Sequence, residues 1–168
     1  MALPESVTHQ DKLLSINTHE HPFLMSLGGH PGVDVFPLFI DPHNGVWMMR
    51  ARFKPGITLP MHFHTGVVHL YTLSGCWYYT EYPDQKQTAG CYLFEPGGSI
   101  HQFNTPADNM EDTDFLFMIN GANVNFLPNG EYAGMLDANS LKGWVDLAIN
   151  EQQSGVRYIS SSIPTYSR

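Results

Sequence analysis

Gly56-Ile57-Thr58-Leu59-Pro60-Met61-His62-Phe63-His64 sets two histidines one residue apart, a few positions after a glycine. On a strand, residues i and i+2 share a face and lie about 6.5 Å apart along the chain, so His62 and His64 can converge on one ion. On a helix they would diverge. Further on, Glu95-Pro96-Gly97-Gly98-Ser99-Ile100-His101 supplies a third histidine. Three imidazoles from neighbouring strands close one triangular face of a metal and leave the opposite positions open. That is the requirement of a catalytic centre; a structural site is closed by protein ligands.

The surroundings agree with strands. Apolar runs between residues 33 and 127 are short, rich in Val, Ile, Phe, Tyr and Trp, and punctuated by Gly, Pro, Asn and Asp, the hairpin signature. Strands are expected near 33–40, 46–53, 58–64, 67–73, 76–82, 91–95, 101–104, 114–119 and 123–127. Asn44-Gly45, Asn120-Gly121 and Asn129-Gly130 read as tight turns, and Pro37 marks the first run as an edge or bulged strand. One helix is expected over 138–154, with Ser140 as its cap and Leu141, Trp144, Val145 and Ala148 as its apolar stripe. The expected organisation is a single domain: an N-terminal arm (1–30), a barrel (33–127), the helix, and a loose tail (156–168).

Composition narrows the function classes. The 168 residues carry 8 Lys+Arg against 16 Asp+Glu, a formal charge of −8, which repels nucleic acid phosphates and makes that partner unexpected. No apolar run reaches transmembrane length, and the N-terminus lacks the basic lead and apolar stretch of a signal peptide, so no membrane association and a cytoplasmic location are expected. Cys76 and Cys91 form no C-x-x-C motif. A structural bridge and two reduced strand thiols both stay open. Nine histidines outnumber all the lysines and arginines.

The two histidine-bearing stretches resemble the motifs of the cupins. Gly56, His62 and His64 match the first cupin motif, and Gly90, Pro96, Gly98 and His101 match the second. The resemblance implies an all-β fold, a small antiparallel β-barrel (the double-stranded β-helix) with a C-terminal helix, and it makes His62, His64 and His101 metal ligands. Asn104 falls one residue early for the second motif, which touches a turn more than the chemistry. The glutamate of the first motif is missing: one spacer puts Val68 in its place, the other His69. Gly75 favours the register that points Val68, Leu70 and Thr72 inward and His69 outward, while a bulge would make His69 a fourth ligand.

Without that carboxylate, three neutral imidazoles leave the full charge on the ion, which favours an anionic chelating substrate. Imidazole suits iron, nickel, copper and zinc alike. Among cupins, three-histidine sites of this kind resemble non-haem Fe(II) dioxygenases, and His62–Tyr82, Glu95–His101 and Asp112–Phe126 look most like the ChrR-like cupins that include the 2,4'-dihydroxyacetophenone dioxygenases. The implied activity is cleavage, by dioxygen, of the C–C bond next to the carbonyl of a small aryl 2-hydroxyketone. Iron(II) is the implied cofactor, with zinc or nickel possible as purified. The alternatives are a β-diketone dioxygenase and a non-catalytic zinc-binding sensor; sensors of that kind have a separate N-terminal partner-binding domain, for which the first 30 residues leave little room. The same resemblance makes Glu95 a catalytic candidate, for substrate orientation or proton transfer, beside its plain reading as a strand-end carboxylate. Glu81 is a weaker candidate of the same type, and Trp77, Tyr78, Tyr79 and Tyr82 are either an aryl-binding wall or barrel filling. His9, His19, His21, His30 and His43 read as arm or loop residues. Activity is expected to fall in acid as the ligands protonate. Sheet edges, an arm and a helix point to a homo-oligomer, a dimer or tetramer.

Overall fold

The computed structural model describes residues 13–160. Asp41 turns the chain between β1 (Val33–Asp41) and β2 (Val46–Phe53), its carboxylate accepting from the backbone N–H of His43 and Asn44. Strict alternation along β2 buries Trp47, Met49, Ala51 and Phe53 on one face. There follow β3 (Met61–His64), β4 (Val68–Ser74), β5 (Cys76–Tyr79), β6 (Tyr82–Thr88), β7 (Tyr92–Glu95), β8 (Phe103–Asn104), β9 (Thr113–Asn120), β10 (Asn123–Phe126), β11 (Tyr132–Leu136), α1 (Ala138–Glu151) and β12 (Ile159–Ser160). One six-stranded sheet runs β12-β1-β2-β9-β4-β7, and two three-stranded sheets run β11-β10-β3 and β6-β5-β8. Inward residues of all three sheets line one interior, the arrangement of a cupin barrel.

At the wall of that interior Trp77 is fully buried, stacked on Phe103 at 5.0 Å, and its indole N–H donates to Thr72 Oγ1 at 2.9 Å. Gly75, between β4 and β5, has φ +73°, and a Cβ there would stand 2.7 Å from Thr113 Cα. Only glycine permits that turn.

Several expectations need correction. The bulge at Pro37–Phe39 is present, but β1 is an interior strand, flanked by β2 and a parallel β12. The supposed tail therefore starts ordered: Val156 is buried and Ile159–Ser160 pair with Phe39–Ile40. The described part of the arm is also fastened. Leu24 exchanges two backbone hydrogen bonds with Val35 (2.8 and 2.9 Å), Arg52 covers the Phe23 ring at 4.2 Å, and Arg50, held bidentately by Asp114, reaches Thr18. The run expected over 76–82 breaks into the β5–β6 hairpin, and the 58–64 run is a strand only from Met61, with Thr58 bridging Asn104. The cap of α1 is Asp137, whose carboxylate accepts from Ser140 N–H at 2.7 Å; Ser140 lies inside the helix. Helix α1 ends at Glu151 and buries Ala138, Leu141, Val145 and Ala148, with Trp144 left half-exposed. Cys76 and Cys91 are free thiols. No helix among the described residues is long and apolar enough to cross a membrane.

Candidate metal centre

The backbone brings the three motif histidines together. His62 and His101 exchange two N–H···O=C bonds of 2.9 Å, and Gly98 N–H donates to the His64 carbonyl at 2.8 Å, so the second motif is laced to the first. Gly98 makes that turn at φ +85°. All three rings are buried, with centroids 4.6 to 5.3 Å apart. One nitrogen of each lies within 4.8 Å of the other two. His62 Nδ1 stands 2.8 Å from the Pro60 carbonyl; since a carbonyl only accepts, Nδ1 carries the proton and Nε2 keeps its lone pair for a ligand.

Glu95, on β7, completes the cluster. Its Oε2 lies 3.3 Å from His64 Nε2 and 3.5 Å from His101 Nε2, while Oε1 accepts from the Tyr79 hydroxyl. The Tyr79 ring in turn stacks on His101 at 4.2 Å. The carboxylate–imidazole contacts would be ion pairs only if the imidazoles were protonated, and burial opposes that. Burial lowers all three histidines, His64 and His101 to about 3; for those two the neighbouring imidazoles push the same way, while for His62 the Pro60 carbonyl and Glu81 oppose it. Burial also lifts Glu95 to about 7, against the pull of the Tyr79 hydroxyl, and raises Tyr79 well above its ordinary value. Burial thus opposes charging all three ligands, and His64 and His101 are neutral at pH 7. The fall of activity in acid expected from ligand protonation is displaced to lower pH than an ordinary imidazole would give.

Glu95 Oε2 and His101 Nε2 are buried without a hydrogen bond. Groups of this kind cost about 1–3 kcal/mol each when left unmet; a divalent cation held by the imidazoles would satisfy His101 Nε2, leaving Glu95 Oε2 to accept a proton from what binds beside it. Three imidazole nitrogens within 4.8 Å of one another form a donor set of the kind transition metals take, so the residues fit a metal.

A cavity of about 390 Å³ opens onto this centre. Trp47, Met49, Phe53, Val68, Phe115 and Phe117 form apolar walls, and its polar groups include His62, His64, Tyr79, Glu95 and Asn123. Position 68 is Val68, pointing inward with Leu70 and Thr72. His69 points out, its Nδ1 2.8 Å from the Tyr92 hydroxyl, and is not part of the centre. Of the aromatic candidates, Tyr79 reaches the site, Trp77 fills the core, Tyr78 lies under Lys86 and Tyr82 is exposed. Glu81 accepts from Gln102 N–H at 2.9 Å, apart from the triad. His19, His21 and His43 stay outside the cluster, and His9 lies outside the described residues. The sequence reading missed that His30, Leu141 and Trp144 line the cavity, since their contacts form only once arm and helix fold across it.

Fold and site together define a cupin with a three-histidine metal-binding group. The chain belongs to the ChrR Cupin-like domain family, whose model matches residues 11–124. A cupin-like protein of unknown function from Ralstonia eutropha is 64% identical, with a TM-score of 0.92 over 96% of this chain and 100% of that one. An RmlC-like cupin from the same organism is 20% identical (TM-score 0.75; 87% of this chain, 91% of that one). An acetylacetone dioxygenase from Acinetobacter johnsonii is 16% identical (TM-score 0.67; 87% and 99%), a likeness of fold. No curated protein matches the chain.

Proposed function

We propose that the protein is an iron(II)-dependent dioxygenase that cleaves the bond between the carbonyl and hydroxymethyl carbons of a small aryl 2-hydroxyketone. One dioxygen is consumed and one oxygen atom enters each product, so 2,4'-dihydroxyacetophenone plus O₂ gives 4-hydroxybenzoic acid plus formic acid. The observation that carries this reading is the combination of three buried neutral imidazoles with an aromatic-walled cavity opening onto them.

His62, His64 and His101 would hold the metal, which supplies a Lewis acid for the ketone and hydroxyl oxygens and electrons for dioxygen. Glu95 receives the hydroxyl proton at Oε2. In the metal-free protein burial lifts this carboxyl to about 7, toward the range in which a base works best. The Tyr79 hydroxyl, donating to Oε1, holds the carboxyl with Oε2 toward the centre. Val68, Phe115 and Phe117 exclude water and hold the ring.

A β-diketone such as acetylacetone presents the same pair of oxygens, and the acetylacetone dioxygenase fold neighbour favours it as the second reading. The cavity's size and aromatic walls support the aryl ketone. A purely zinc-binding sensor would have no use for such a cavity. To test the assignment, iron-loaded protein is given each ketone in an oxygen electrode. Uptake with equimolar 4-hydroxybenzoate and formate is expected; no uptake with either substrate overturns it.

We also infer a homo-oligomer, formed by a second copy on the outer face of the large sheet. There Tyr71, Leu73, Tyr92 and Phe94 are each 42–59% exposed. These residues carry no charge in a chain of −8, so apposed copies avoid like-charge contact. Free thiols at Cys76 and Cys91 suit a reducing compartment, and we place the enzyme in the cytoplasm.

A further inference from the structure

We propose that Asn123 is the positioning residue for His64: its side-chain oxygen accepts the imidazole Nδ1–H in the metal-loaded protein and so presents Nε2 to the centre. This rests on the metal reading of the histidine cluster, but assigns a residue that neither motif contains.

Each ligand ring needs an oxygen to receive the proton on the nitrogen that does not bind metal, because that bond fixes both tautomer and ring orientation. His62 has the Pro60 carbonyl. His101 is influenced in the same way by a backbone hydrogen bond at Ser99. His64 has no backbone acceptor: its Nδ1 is buried and makes no hydrogen bond. Asn123 stands directly opposite it in the antiparallel β3–β10 ladder, where facing side chains share one side of the sheet and meet. Asn123 Oδ1 is likewise buried without a hydrogen bond, and its amide is among the groups acting on the His64 ring. An orphan donor and an orphan acceptor thus face each other across one rung. Two buried unmet polar atoms are costly separately and satisfied together. Of the three acceptors, Asn123 is the one a side-chain substitution can remove.

The test measures zinc affinity of the full chain by competition with a chromophoric chelator, with circular dichroism as the fold control. Asn123→Ala should weaken zinc binding roughly tenfold or more, the usual loss for an outer partner of a ligating histidine. Asn123→Asp keeps the acceptor and should stay within about threefold of wild type. In the ¹⁵N-labelled zinc-loaded wild type, the imidazole spectrum should show His64 with its proton on Nδ1 and metal on Nε2. Folded Asn123→Ala with wild-type affinity overturns the proposal, as does equal loss in Asn123→Asp, which would indicate packing, or metal on His64 Nδ1. If the wild type takes up no zinc, it is the metal reading that fails.

Discussion

Removing the Glu95 charge should unmask the acid sensitivity that the buried histidines impose on the metal-free fold. His64 and His101 ionise near 6.5 when unfolded and near 3 when folded, so below pH 6.5 the unfolded chain binds protons that the native one refuses. At pH 5, one and a half pH units below 6.5, this costs about 2 kcal/mol per histidine and about 4 kcal/mol for the pair. Glu95 works in the opposite direction. Its folded value of about 7 exceeds the unfolded 4.5, so as pH falls through that window the native state takes up a proton and sheds a buried charge. By pH 5 the relief is about 2–3 kcal/mol. It offsets more than half of the histidine cost, leaving wild type about 1–2 kcal/mol weaker at pH 5 than at pH 8 from these groups.

Glu95→Gln keeps the shape and the acceptor for Tyr79 but loses the compensation, so its stability should fall by about 4 kcal/mol over the same interval. The assay is urea unfolding of both chelator-stripped proteins from pH 8 to pH 4. Other carboxylates are common to the two proteins and drop out of the comparison. Parallel pH profiles would refute the reasoning, because they would mean that Glu95 is ionised throughout or that the imidazoles are reached by solvent.

Three further outcomes follow from the geometry. His69→Ala should leave metal stoichiometry unchanged, since its ring points to Tyr92, whereas His101→Ala should abolish tight binding; elemental analysis of protein loaded and then desalted decides both. Asp137→Ala removes the helix cap and should cost about 1 kcal/mol in urea unfolding without changing metal uptake. Tyr71→Glu combined with Phe94→Glu places like charges on the exposed sheet face and should convert the oligomer to monomer in sedimentation velocity; a wild type already monomeric at high micromolar concentration would end that proposal.

Strands with two-residue periodicity and a buried face were legible: β2 was expected over its observed span, and the inward register of Val68, Leu70 and Thr72 was read from Gly75 and confirmed. The strands that were missed lack that contrast. Strand β6, Tyr82–Thr88, is almost wholly exposed and contains Pro83, while β11 carries Gly134 and only two half-buried positions. Strand β12 is a two-residue element stabilised by β1 alone. Its existence depends on a partner over a hundred residues away, which local pattern cannot report. The same holds within the site. His62, His64 and His101 announced themselves by spacing; Tyr79 was one of four aromatic candidates that only its stacking on His101 singles out, and Asn123 enters through cross-strand register, for which local pattern carries no separate sign.

The register also shows what stands near the imidazoles in place of the usual cupin glutamate. Val68, the residue at the vacated position, is paired directly across the β4–β7 ladder with Glu95, and both side chains line the cavity. A carboxyl thus remains beside the imidazoles but is supplied by the neighbouring strand, 3.3–3.5 Å from two ligand nitrogens. The difference matters chemically. A glutamate fixed as a ligand is permanently ionised and cancels part of the metal's charge, whereas Glu95 is tied to Tyr79 through one oxygen and, in the metal-free protein, is lifted by burial to about 7. In the reaction proposed above, a protonated Glu95 would leave the full charge to an anionic chelating ligand, and an ionised one would take the proton whose loss makes that ligand anionic. Valine on β4 and glutamate on β7 would then exchange a fixed ligand for a mobile proton, on which the proposed chemistry depends.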